Sequence, residues 1–145
     1  MNRHISLYRR GGQTLALASS THGPNGLAFD NGWSAVRAGE LADAELGALA
    51  RRALAECGVL DRFPGYPEGP SVAALALGLK SERTFLNGTT SVGVIQTDEA
   101  IKVKATRKEL GGFGSDTSML EVTLSADADD DALGAAIREA FAVSS

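Results

Sequence analysis

The amino-acid sequence predicts a single α+β domain over residues 1–145, a mostly antiparallel sheet made of hairpins with helices near residues 43–57 and 129–142 on one face. Three observations support this fold class. Two pairs of extended segments flank short turns, two segments carry apolar residues at helical spacing, and 145 residues suit one domain of roughly 100–200 residues. With 43% hydrophobic and 22% charged residues, the composition excludes a mainly disordered chain.

The first hairpin is predicted from two extended segments on either side of Gly11-Gly12. Apolar and polar residues alternate over residues 4–9, and extended character resumes over residues 14–18. A Gly-Gly pair between such segments is typical of a tight hairpin turn. Residues 19–39 are rich in Ser, Gly, Asn and Pro and are therefore expected to form a loop, from which Phe29 and Trp33 pack back onto the core.

The first helix is predicted to begin near Asp43. Its carboxylate can accept hydrogen bonds from the free amides of the first turn, so Asp43 is expected to be the N-cap. Gly58 is expected to end the helix in a left-handed conformation, while Arg51 faces water. The apolar stripe comprises Leu46, Leu49, Ala50, Ala53, Leu54 and Cys57.

The middle of the chain is predicted to hold an irregular connection, a short helix and a second hairpin. Pro64, Pro67 and Pro70 interrupt the connection. Residues 72–79 are rich in Ala and Leu, which favours a short helix over a buried strand. The second hairpin is predicted from two arms, residues 91–97 and 100–107, which flank the turn Asp98-Glu99. Apolar and polar residues alternate strictly in the second arm.

The C-terminal part is predicted to contain a loop, a strand and a helix. The sequence Gly-Gly-Phe-Gly at residues 111–114 is expected to form a flexible loop. Residues 119–124 alternate as a strand, and the last helix begins in the Asp129–Asp131 cluster. These aspartates are expected to cap the helix and to interact with its N-terminal dipole.

The two predicted helices share a local pattern. Residues 45–55 and 132–142 are identical at six of eleven positions. We interpret this as two helices on one face of the sheet, each with a glycine where it meets the strands closely. A duplicated unit is the alternative, although the surrounding strands do not repeat.

Charge is distributed unevenly along the chain. The formal net charge is −4, and residues 109–145 hold eight acids and one base. A mildly acidic domain is a poor candidate for direct nucleic-acid binding and a better one for docking a basic protein. Neither a membrane span nor a secretory signal is expected, and the single cysteine, Cys57, fits a reducing cytoplasm.

No metal or cofactor motif is complete in the sequence. Residues 127–131 place carboxylates as a calcium loop does, but Ala132 and Arg138 stand where that loop needs Gly and Glu. We therefore expect no metal site and no cofactor.

The histidines are the main candidates for acid–base chemistry. His4 and His22, with Lys102 or Lys104, could form a ribonuclease-type site in which one imidazole takes a proton and the other gives one. Nothing in the sequence places them together, so we expect no catalytic residue. Cys57 is expected to be a small core residue rather than a nucleophile.

The order of elements in the C-terminal half carries a family resemblance. Lys80-Ser81-Glu82-Arg83-Thr84-Phe85 is followed by strand residues 91–94, by a strand with Ile101-Lys102-Val103 and by a Gly-rich loop. An acidic helix start then leads into the sequence of residues 133–141, Leu-Gly-Ala-Ala-Ile-Arg-Glu-Ala-Phe. Over residues 80–145 the chain resembles immunity proteins of bacterial contact-dependent growth inhibition systems.

The resemblance implies a cytoplasmic antitoxin that binds the C-terminal toxin domain of a delivered effector, in a one-to-one complex and without catalysis. Such toxins are commonly nucleases, so the partner is expected to be basic. Acids on predicted loops are freer to meet it than acids that cap a helix. The expected toxin contacts are Asp98, Glu99, Glu109 and Asp116.

Two functions of other classes stay open from the residues alone. One is a small enzyme such as a ribonuclease that uses His4 and His22. The other is a structural adaptor whose apolar residues 72–79 pack on a partner.

Overall fold

The structure, a computed structural model, describes residues 2–22, 28–60 and 69–145. These residues form the predicted α+β architecture, with one seven-stranded sheet and one separate two-stranded sheet. The strands are β1 (Arg3–Arg10), β2 (Gln13–His22), β3 (Ala28–Ala38), β4 (Gly58–Leu60), β5 (Thr90–Gln96), β6 (Ala100–Ala105), β7 (Arg107–Glu109), β8 (Gly112–Gly114) and β9 (Glu121–Ser125). The helices are α1 (Asp43–Ala55), α2 (Val72–Ala76), α3 (Glu82–Leu86) and α4 (Asp130–Val143).

Both predicted hairpins are confirmed and form the middle of the sheet. The strand order is β3-β2-β1-β5-β6-β9, and β4 pairs in parallel with β2. Gly11 and Gly12 have φ values of 53° and 77°, the positive values that a type I′ hairpin turn needs at both central positions. The register aligns apolar residues across the strands on one face, in the row Ala18, Ile5, Val94, Val103 and Val122.

The prediction of a loop over residues 19–39 is wrong. Strand β2 continues to His22, and residues 28–38 form β3 at the edge of the sheet. The prediction depended on the Ser, Gly, Asn and Pro content of the segment, whereas backbone pairing with β2 and alternate burial along β3 stabilise an extended strand here. Trp33 does pack against the core, as expected.

The predicted ends of the first helix are also corrected. Ala42 is the N-cap, and its backbone N–H donates to Oε1 of Glu45 at 3.2 Å. Asp43 is instead the first residue of α1, and its carboxylate pairs with Arg138 of α4 rather than capping the helix. The C-cap is Glu56, and Gly58 begins strand β4 rather than ending the helix.

Helices α1 and α4 lie on one face of the sheet, as predicted, but the glycine of each helix meets the first turn of the other helix rather than the strands. A Cβ atom on Gly47 would overlap the backbone carbonyl of Asp130, and one on Gly134 would overlap the backbone carbonyl of Asp43. Arg51 does not simply face water, since its Nε donates to Oδ1 of Asp130 at 2.9 Å. Close helix contact therefore explains both glycines.

The last helix is confirmed together with its cap. The Asp129 carboxylate accepts a hydrogen bond from the backbone N–H of Ala132 at 2.8 Å, which satisfies one of the free amides of the first turn. The inward side chains of α4 are buried, among them Leu133, Ile137 and Phe141.

The opposite face of the sheet is covered only in part. Helix α2, within the predicted 72–79 segment, packs Ala73 and Ala74 onto Leu15 and Leu17. The expected flexible loop at residues 111–114 contributes strand β8 of the β7–β8 hairpin instead. The prediction for Pro64 and Pro67 lies outside the described residues.

Candidate partner-binding site

The four acids predicted to contact a partner lie at two separate places. Asp98 and Glu99 lie in the β5–β6 turn, whereas Glu109 and Asp116 lie beyond the other end of β6. Strand β6 has six residues, so at about 3.3 Å per residue the two places are roughly 20 Å apart. They cannot form one compact patch.

The turn between β5 and β6 is held by a threonine. Oγ1 of Thr97 accepts hydrogen bonds from the backbone N–H groups of Glu99, at 3.3 Å, and Ala100, at 3.1 Å. The Glu99 side chain is exposed at this turn. The turn therefore presents its acids on a fixed backbone.

Glu109 and Asp116 are joined by one arginine. Arg107 approaches the Asp116 carboxylate at 2.8 Å and the Glu109 carboxylate at 3.7 Å. Hydrogen bonds from Ser118, together with Arg107, hold the pKa of Asp116 below its usual value. These two acids were expected to be free on a loop, and their charge is instead partly compensated within the chain.

A cavity of about 350 Å³ opens on the sheet face opposite α1 and α4. Its floor includes Ser6 and Gly93, which face each other across β1 and β5. A Cβ atom on Gly93 would meet no atom within 4 Å, so the missing side chain leaves the floor open. We refer to this space as the sheet-face cavity.

Three aromatic rings form one wall of the sheet-face cavity. The Tyr8 ring lies 5.2 Å from the Phe85 ring and 5.8 Å from the Phe113 ring, and the two Phe rings are 6.2 Å apart. Tyr8 lies on β1, Phe85 on α3 and Phe113 on β8. The β7–β8 hairpin and α3 therefore meet over the sheet through this cluster.

Two carboxylates also line the sheet-face cavity, Asp30 from β3 and Glu82 from α3. Oε1 of Glu82 accepts a hydrogen bond from the backbone N–H of Ser71 at 2.7 Å. The Asp30 side chain, at the rim, makes no hydrogen bond or ion pair within the described residues. It is thus available to a cation from outside the chain.

The electrostatics of the cavity follow from burial and from these two charges. Partial burial, and then the negative charge of Glu82, raise the pKa of Asp30. Burial also raises the pKa of Tyr8 to about 12, with smaller contributions from Asp30 and Glu82 and an opposing hydrogen bond with Ser6.

Lys104 lines the cavity as well, and its ammonium lies 3.9 Å from the Glu121 carboxylate. Carboxylates beside aromatic rings suit a guanidinium or ammonium group.

Sequence reasoning missed both Asp30 and Glu82. Asp30 lay in a segment interpreted as loop, and Glu82 lay in the element that carries the resemblance. They are 52 positions apart in the sequence and come together only because β3 and α3 reach the same face of the sheet. No local pattern could have indicated that meeting.

The structure does not bring the two histidines together. His4 lies on β1 opposite Ile95, and His22 lies at the end of β2 opposite Leu60. Strand alternation places them on opposite faces of the sheet. Burial, and then the positive charge of Lys104, lower the pKa of His4.

In residues 2–22, 28–60 and 69–145, no three His, Cys, Asp or Glu side chains come together to hold a metal ion. Over the same part of the chain, no helix is long and apolar enough to cross a membrane.

The sequence matches the CdiI family, described as CDI immunity protein, over residues 13–144. The chain therefore belongs to this family of immunity proteins, which neutralise the toxins of contact-dependent growth inhibition systems. No curated protein sequence matches it.

Solved structures share the fold at low sequence identity. A protein of unknown function, NMB0488 from Neisseria meningitidis, is similar with a TM-score of 0.78 and 15% identity, covering 100% of this chain and 96% of that one. A chain of the CdiA-CT/CdiI toxin and immunity complex from Yersinia pseudotuberculosis has a TM-score of 0.75 and 17% identity, with 100% and 98% covered.

Proposed function

We propose that this immunity protein neutralises a basic nuclease toxin domain in the cytoplasm by binding it one to one, with no catalysis of its own. The observation that carries the proposal is the sheet-face cavity, where Asp30 and Glu82 lie beside three aromatic rings. In this proposal Asp98, Glu99, Glu109 and Asp116 act as outer charges that attract the toxin.

The cavity suits one kind of toxin group, a lysine or arginine side chain. A nuclease presents such cations to the phosphates of its substrate. A cation beside Asp30 and Glu82 would relieve the repulsion between the two carboxylates and would also lie against the faces of the rings. Toxin residues held in this way would no longer be available to nucleic acid.

The experiment is a binding measurement between the purified chain and the toxin domain encoded beside its gene. The double variant Asp30→Asn, Glu82→Gln keeps both side-chain shapes and removes both charges. We expect it to weaken binding by about 2–5 kcal/mol, the range for a buried charge pair that loses one partner. The matched control is Glu139→Gln, which removes an exposed charge on α4. Equal affinity for the double variant and the wild type would contradict a role for the cavity.

The absence of catalysis is tested with the histidines. His4→Ala and His22→Ala should each protect cells from the toxin as well as the wild type does. The purified wild-type chain should leave RNA intact over hours. RNA cleavage that disappears in His4→Ala would show instead that the chain is an enzyme.

A further inference from the structure

A second cavity lies away from the sheet-face cavity and has the opposite charge. Its volume is about 350 Å³, and its lining includes Arg9, Arg10 and Arg138 together with the Gly11-Gly12 turn. The two cavities share no lining residue. We refer to this second space as the arginine cleft.

Arg138 is held in place by partners within the chain. Its Nε donates to Oδ1 of Asp43 at 2.6 Å, its Nη2 donates to the Leu41 carbonyl, and its Nη1 lies 3.6 Å from the Glu40 carboxylate. Its main contribution to the cleft is therefore a fixed positive charge.

Arg9 has free donors. Its guanidinium carbon lies 4.3 Å from the centre of the Phe141 ring, and its side chain has no hydrogen bond or ion pair within the described residues. Stacking uses the flat face of a guanidinium and leaves its in-plane N–H groups unused. Burial, and then the positive charge of Arg138, lower the pKa of Arg9, which agrees with an excess of positive charge at this place.

Arg10 adds a second guanidinium that is only partly satisfied. Its Nη2 donates to the Thr84 carbonyl at 3.3 Å. Its Nε is buried and has no partner within the described part of the chain. Arg9 and Arg10 are neighbours on β1, so their side chains leave opposite faces of the sheet, and Arg10 adds positive charge rather than a donor to a ligand of Arg9.

We propose that the arginine cleft binds an oxyanion, a carboxylate or phosphate group, through the unused N–H groups of Arg9, with Arg10 and Arg138 adding positive charge. Paired N–H donors in one plane match the geometry of carboxylate and phosphate oxygens. The oxyanion can be free in solution or can be carried by the toxin, and the experiment separates these sources.

Glu40 competes for the same space. Its carboxylate lines the cleft, its side chain is 89% exposed, and its negative charge acts on Arg9. Removing this charge while keeping the shape, with Glu40→Gln, should tighten binding of an added oxyanion severalfold. That gain of affinity would not occur if anions bound only through general surface charge elsewhere.

The experiment is a titration of the chain at low salt with inorganic phosphate and, separately, with acetate. Binding is measured by calorimetry and by NMR of the arginine side chains. We expect saturable binding that Arg9→Gln weakens about tenfold and that added salt also weakens. Arg52→Gln, which removes an exposed arginine of α1, should leave binding unchanged. Thermal unfolding of each variant establishes that it is folded, and Arg9→Lys serves as a second variant that keeps the charge but not the paired donors.

Toxin binding then identifies the source of the oxyanion. If Arg9→Gln also weakens toxin binding and phosphate competes with the toxin, the cleft takes a toxin carboxylate. If toxin binding is unaffected while phosphate binding is lost, the cleft takes a free oxyanion. The proposal is overturned if neither phosphate nor acetate binds saturably to the wild type, or if Arg9→Gln and Arg9→Lys both bind them as the wild type does.

Discussion

Arg138 of α4 and Asp43 of α1 form an ion pair at 2.6 Å, and Arg51 and Asp130 repeat it in reverse, from α1 to α4, at 2.9 Å. In each helix the aspartate, the glycine and the arginine stand four positions apart, over Asp43–Arg51 and Asp130–Arg138. The glycine of each helix meets the backbone of the aspartate in the other. The shared sequence pattern thus describes a two-fold helix contact.

The helix contact predicts a steric penalty for Gly47→Ala. The added methyl group would overlap the Asp130 carbonyl, a backbone atom that cannot rotate away. Overpacking of this kind costs about 1–3 kcal/mol, which exceeds the roughly 1 kcal/mol that alanine gains in a helix. Urea unfolding should therefore show a lower midpoint for Gly47→Ala. The control is Gly93→Ala, where the added atom meets open space, and an equal loss in both variants would argue against the contact.

The core packing of α4 is tested with Leu133→Ala. Leu133 is fully buried in the main core cluster, so the substitution should lower the free energy of unfolding by about 2–5 kcal/mol. Val143 lies on the same helix and is 57% exposed, so Val143→Ala should have a much smaller effect. An unchanged midpoint for Leu133→Ala would mean that α4 does not pack as described.

The β5–β6 turn is tested by reversing charge in the double variant Asp98→Lys, Glu99→Lys. If these acids attract a basic toxin, the association rate should fall and its dependence on salt should flatten. Dissociation and folding should change little, because a charge at the rim of an interface acts mainly on encounter. Stopped-flow measurements at several ionic strengths test this, with Glu139→Lys as the control. Association that is insensitive to both salt and reversal would contradict acidic steering at this turn.

The raised pKa of Asp30 predicts a pH dependence of stability. The folded chain keeps the Asp30 proton to higher pH than the unfolded chain, where the ordinary value is 3.8. The free energy of unfolding therefore loses a contribution as pH rises from that value through the raised pKa. Asp30→Asn cannot titrate, so its stability relative to the wild type should grow across this window and then level off. A difference that stays constant with pH would argue that Asp30 titrates normally.

The sequence predicts best where one local pattern decides the outcome. The Gly11-Gly12 turn and the stripe of α4 were predicted because turn geometry and helical spacing are local. Strand β3 was missed because the Ser, Gly, Asn and Pro content of residues 19–39 outweighed the alternating Phe29, Trp33 and Ala35, which pairing with β2 makes decisive. The cavity acids Asp30 and Glu82 were missed because only the tertiary fold brings them together, and the charge of Asp116 was misjudged because its partner Arg107 lies nine positions earlier.

The helix contact also bears on when the chain can fold during synthesis. The Arg138–Asp43 pair joins residues 95 positions apart, and β1 pairs with β5 across a similar stretch. Until α4 leaves the ribosome, α1 covers only part of the apolar face of the sheet, and contacts of such long sequence separation form slowly. We therefore expect the complete fold only after the final helix has been made, and a chain released before it would expose part of its core to proteases and aggregation.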